Sequence, residues 1–97
     1  MKISNEKRQK VLEIVDRVMT LQEQAKPDEM YHVEFSGNIL GVVITKHTLD
    51  ESAEFGRRTE AFKTAYLDWE WDSSGFSLEN LEKWIEQEEK DHDIIRD

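Results

Sequence analysis

The first candidates for chemistry in this chain are three histidines and a large stock of carboxylates; the sequence contains no cysteine. That absence removes disulfides, thiolate metal sites and thiol nucleophiles together. His32, His47 and His92 include no pair at the i, i+4 spacing of a helical zinc site, and the pattern HExxH is missing. His32 and His47 fall near the open end of a predicted hairpin but at different points along its ladder, so they read as strand-surface histidines before they read as ligands. Asp91-His92-Asp93 offers donor groups, yet it sits in a predicted tail, where nothing preorganises it for an ion. No Gly-x-Ser-x-Gly elbow is present, and Gly37, Gly41, Gly56 and Gly75 are too scattered for a phosphate loop. With 22 Asp and Glu in the chain, any particular carboxylate pair is uninformative. No catalytic residue, metal site or cofactor is therefore assigned. A small metal-dependent enzyme ranks last among the functional readings.

Two groupings stand out for binding. Trp69-Glu70-Trp71-Asp72 places two tryptophans two residues apart, one helical turn after Tyr66. On a helix they cannot share a face, so one would be exposed as a contact residue; on a strand both would share a face and finish a small core. The second grouping is Glu79, Glu82, Glu86, Glu89 and Asp93. At helical spacing these form one acidic face, with about 5–6 Å between neighbours. Such a row is either an ordinary solvated surface or an imitation of a phosphate backbone. The residues expected to bind a partner are thus Glu79, Glu82, Glu86, Glu89, Trp69 and Trp71.

The charge layout points the same way. The net charge is −9, and residues 68–97 carry eleven Asp and Glu against three Lys and Arg. An acidic surface repels nucleic-acid phosphates and anionic membranes, so a basic protein partner is expected, with no direct nucleic-acid or membrane contact. Small acidic inhibitors made by phages and immunity systems share this size and charge as a class. A cysteine-free chain this short favours a reducing, cytoplasmic setting. The polar start, Met1 to Lys10, does not read as a signal peptide, and the longest apolar run, Ile39 to Ile44, is too short to cross a bilayer.

The elements that would position these residues follow from periodicity. With 97 residues, one domain is expected, with a tail from about residue 91. Asn5 to Lys26 reads as a helix capped by Ser4, with an apolar stripe from Val11 to Leu21 and a stop imposed by Pro27. That stripe is broad for a small sheet to cover, so the alternative functional reading is a homodimer through this helix, as a structural or accessory subunit. Tyr31, Val33 and Phe35 alternate as a strand, and Gly37-Asn38 suits a two-residue turn into a second strand over 39–47. That loop would set Phe35 opposite Leu40, Val33 opposite Val42 and Tyr31 opposite Ile44, all on one face. Residues 50–69 read as a second helix through Ala53, Ala61, Phe62, Ala65 and Tyr66, with Gly56 as a weak point. An edge strand over 66–71 is the other option there. A last helix begins at Ser77, with Phe76 and Leu81 spaced as a hydrophobic staple. The expected fold is α+β, a helix–β-hairpin–helix–helix order with helices packed on one face of a small antiparallel sheet.

Overall fold

The computed structural model describes residues 3–53, 56–67 and 77–95. Its element order is α1 (Asn5–Glu23), β1 (Glu29–Ser36), β2 (Gly41–Leu49), β3 (Arg57–Tyr66) and α2 (Leu78–Asp91). The class is α+β as expected, but the order is helix, three strands, helix. The strands form one antiparallel sheet in the order β1-β2-β3.

Both helices start where side chains can cap them. Ser4 Oγ accepts from the Lys7 amide at 3.2 Å, and Ser77 Oγ accepts from the Asn80 amide at 3.2 Å. Each satisfies one of the amides that a helix start leaves without a partner. The first helix ends at Glu23, earlier than the proline alone dictates. Pro27 instead occupies the second position of a turn closed by the Glu29 amide on the Lys26 carbonyl at 2.9 Å, where its fixed φ is favourable.

The expected helix over 50–69 is overturned: Arg57–Tyr66 is the third strand. Ala61 and Ala65 share a face at a spacing of four in either period, so the pattern that suggested a helix fits a strand equally well. What decides is β2. Val42 and Ile44 are fully buried, and a central strand there needs backbone partners on both sides. Gly56, at φ +72, turns the chain into β3 after the loop that follows Asp50. The strand option over 66–71 meets the structure only at its start, where Tyr66 is the last residue of β3 and Leu67 lies outside the strand; Trp69, Trp71 and the Phe76 staple lie outside the described residues.

The hairpin register also differs by two residues. Phe35 pairs with Val42, Val33 with Ile44 and Tyr31 with Lys46, across a four-residue loop over 37–40. Positive φ falls on Leu40, at 47°. Gly41 enters the strand because a side chain there would meet the Ala65 carbonyl oxygen at 2.7 Å. An even shift keeps every side chain on its face, so the expected apolar face survives while its partners change.

That face joins Tyr31 of β1, Val42 and Ile44 of β2, and Ala65 of β3 to Ile14, Val18 and Leu21 of α1 and to Leu81 and Ile85 of α2. Both helices therefore cover the same side of the sheet. The opposite side carries Phe62, 66% exposed, and His32. No described helix is long and apolar enough to cross a membrane.

Candidate functional site

The densest polar chemistry lies inside the fold. Glu88 and Glu89 sit on the buried side of α2, at helical spacing from Leu81 and Ile85. Glu88 Oε1 accepts from the Tyr31 hydroxyl at 2.8 Å and pairs with Lys46 Nζ at 2.7 Å. Lys46 Nζ also reaches Glu29 at 3.0 Å and lies 5.6 Å from the Tyr31 ring centre. His92, just past the helix end, brings Nε2 to within 2.8 Å of the Glu29 carboxylate. Its Nδ1 lies 2.7 Å from the Glu88 carbonyl oxygen. One strand pair and one helix end thus assemble Glu29, Tyr31, Lys46, Glu88 and His92 into a single network.

The ionisation of these groups follows from burial opposed by partners. Burial pushes the Glu29 carboxyl up, but hydrogen bonds from the Lys26 amide, His92 and Lys46, with the charge of Lys46, hold it at about 2. Burial lowers Lys46, and its bonds to Glu88 and Glu29 more than restore it. The same balance raises His92: burial disfavours its charge, while Glu29 and the Glu88 carbonyl favour it. Both ring nitrogens face acceptors, so the doubly protonated ring is the form that satisfies them. Tyr31 is raised by burial, then by its hydrogen bond to Glu88 and the surrounding negative charge.

A cluster of shifted groups is often an active site, but ion-pair networks inside a fold shift pKa values in the same way. Here the side chains of Glu29, Lys46, Glu88 and His92 are 5–16% exposed. Among the described residues no buried side-chain polar atom lacks a partner. The arrangement is a structural lock joining the sheet to α2. A second lock ties α1 to α2: Arg17 Nη2 donates to Glu89 Oε1 at 2.5 Å, and Nε donates to Oε2 at 3.2 Å.

The residues expected to bind a partner therefore separate. Glu79 and Glu86 are exposed and Glu82 is half-buried on the flank of α2. Glu89 is 4% exposed and turned into the Arg17 pair, so it drops out of the acidic row. Lys83 lies 3.8 Å from Glu79 and dilutes the row at that end. Asp93 adopts φ 56 beyond the helix, which breaks the helical spacing there. The tail expected from residue 91 stays on the fold longer: His92 is anchored and Ile94 packs against the core, while Ile95 is 91% exposed.

The histidines expected on the strand surface are found there. His47 Nδ1 lies 3.3 Å from the Thr59 hydroxyl, and His32 is exposed. No group of three potential metal ligands gathers among the described residues. The sequence reading missed the inner network, although a trace of it was present: Leu81, Ile85, Glu88 and His92 run at i, i+4, i+7 and i+11, which places a carboxylate and a histidine on the apolar stripe.

Comparison with protein-family models, curated proteins and solved structures finds no match to this chain.

Proposed function

We propose that this protein is a small acidic binding module, not an enzyme, that docks the Glu79–Glu82–Glu86 flank of α2 onto a basic surface of a partner protein. The observation that carries this reading is the sorting of carboxylates on one helix. Glu88 and Glu89 face inward onto Lys46 and Arg17, while Glu79, Glu82 and Glu86 stay on the outer side. The inward pairs fix the helix to α1 and to the sheet, so the outer carboxylates are held at the spacing of a rigid helix, about 5–6 Å apart. Carboxylates held so resemble successive phosphates, which suits a partner that otherwise handles nucleic acid, and the reading places the protein with small inhibitors of such enzymes. Trp69 and Trp71 are the apolar contacts it adds to the acidic ones. A cysteine-free chain suits the cytoplasm.

The non-enzymatic part rests on the inner network. Its shifted groups bind one another and are shielded from solvent, whereas a general acid or base must reach a substrate.

The test is capture from a lysate of the native host at low and at high salt, with Glu79→Lys/Glu82→Lys/Glu86→Lys protein alongside. A basic protein held at low salt, released at high salt and ignored by the reversed variant supports the docking face. Capture that survives both salt and charge reversal, or no capture at all, overturns it. Circular dichroism of the variant checks that the three substitutions, one of them at the half-buried Glu82, leave the fold intact.

A further inference from the structure

The first helix carries an apolar strip that its own core does not use. Ile14, Val18 and Leu21 face the sheet and α2. Leu12 and Met19, seven residues apart, lie on another side and are 57% and 60% exposed. Val15 lies between them, half-buried. Beside the N-terminal half of this strip, Phe35 from the end of β1 and Leu67, just past the end of β3, complete an apolar groove with Val11, Leu12 and Val15. Phe35 is 47% exposed. Contiguous apolar surface of this kind on a small, strongly charged protein marks a contact site.

The ends of the strip identify what covers it. Arg8 precedes Leu12 by one turn, and Glu23 follows Met19 by one turn. Arg8, Leu12, Val15, Met19 and Glu23 therefore form one row, about 22 Å long at 1.5 Å per residue. The row is basic at its start and acidic at its end. Neither Arg8 nor Glu23 has an ion-pair partner among the described residues. A row with opposite charges at its two ends is complementary to itself when turned around.

We propose that two copies of this chain pair through antiparallel first helices, with the strip of one on the strip of the other. A twofold axis beside Val15 then sets Leu12 against Met19 of the second copy and Arg8 against its Glu23. The isologous arrangement makes each contact twice. The flexible Met19 side chain of each copy enters the groove formed by Phe35, Leu67 and Val11 of the other, a use to which methionine is suited. The pairing leaves the Glu79–Glu82–Glu86 flank of α2 outside the contact, so it stands or falls independently of the acidic docking surface.

Charge reversal with rescue tests it. Sedimentation velocity over a concentration series gives the dimer dissociation constant for the full chain, for Arg8→Glu, for Glu23→Arg and for the double variant. Each single reversal faces like charges twice and is expected to weaken the dimer about tenfold. The double variant restores the pair in the opposite sense and is expected to return the constant to near its starting value. Leu12→Lys, at an exposed position, is expected to give monomer with an unchanged circular dichroism spectrum. A chain that stays monomeric into the high micromolar range, or a double variant no tighter than the singles, overturns the proposal.

Discussion

His92 Nε2 lies 2.8 Å from the Glu29 carboxylate, a contact across 63 positions of sequence. It ties the end of α2 to the start of β1 through groups that titrate at opposite ends of the acid and neutral range. The folded pKa of His92 is raised above its ordinary value of 6.5. Its contribution to stability is therefore complete below about pH 6.5 and is lost as pH rises through the folded value. The folded pKa of Glu29 is lowered from 4.5 to about 2. Its contribution is complete above about pH 4.5 and is lost as pH falls through about 2. Together they give the network a stability plateau between about pH 4.5 and 6.5. Urea midpoints measured across pH should show it, with a decline on the alkaline side that His92→Gln abolishes. The same variant should cost about 1–3 kcal/mol at pH 5.5, because it strips a buried carboxylate of a charged donor. An identical pH profile in the variant would show that His92 is not the titrating group.

Arg17 and Glu89 make the opposite kind of prediction, because theirs is a two-armed pair between helices. Removing Glu89 leaves the buried Arg17 guanidinium without its carboxylate, and removing Arg17 takes a two-armed charged donor from the buried Glu89. Arg17→Met or Glu89→Leu alone should each cost about 3–5 kcal/mol. The double variant should be less damaged than either single one, because an apolar pair of similar volume needs no counter-charge. Chemical denaturation of the four proteins measures this as a double-mutant cycle. Additive costs would mean that the two side chains do not depend on each other.

These pairs also mark where the sequence could be read and where it could not. The capped starts at Ser4 and Ser77 and the alternation of Tyr31, Val33 and Phe35 are local patterns, and they are found as read. The third strand was not legible, because Ala61 and Ala65 satisfy both periods and the deciding need, a second neighbour for β2, is a property of the sheet. The acidic row was legible as a row, but not its division. Whether a glutamate on a helix faces water or an arginine depends on what packs against it, and Arg17 lies 72 positions away from Glu89. The inner network failed to register for the same reason: its members are spread from Glu29 to His92, and only packing brings them together.

Leu40 offers a test of the hairpin register. It holds φ at 47°, a left-handed conformation that its branched side chain disfavours. Its carbonyl accepts from the Leu67 amide at 2.9 Å, which locks the loop in this shape. Leu40→Gly removes the steric conflict, worth about 1–2 kcal/mol, against about 0.5–1 kcal/mol of added backbone entropy in the unfolded chain. Leu40→Asn relieves much of the conflict without that entropic cost and should be the more stable variant. Thermal denaturation should place the midpoint of Leu40→Asn at or above that of the unaltered chain. A clear fall would mean that the loop does not hold the left-handed shape at this position.

Gly41 makes the last prediction, and it depends on closeness rather than conformation. A Cβ at this position would stand 2.7 Å from the Ala65 carbonyl oxygen and 3.2 Å from the Ile39 side chain. The first neighbour is backbone of the adjacent strand and has no side-chain freedom to yield. Gly41→Ala must then push β3 from β2 at the end where the strand leaves the hairpin, at a cost of about 1–3 kcal/mol. Gly37, four residues earlier in the same hairpin, has nothing within 4 Å of the corresponding point. Gly37→Ala therefore lacks any clash and should shift stability by less than about 1 kcal/mol in either direction. Amide exchange of β3 should rise in the first variant and not in the second. Equal effects from the two substitutions would mean that the contact between Gly41 and Ala65 does not set the spacing of the sheet.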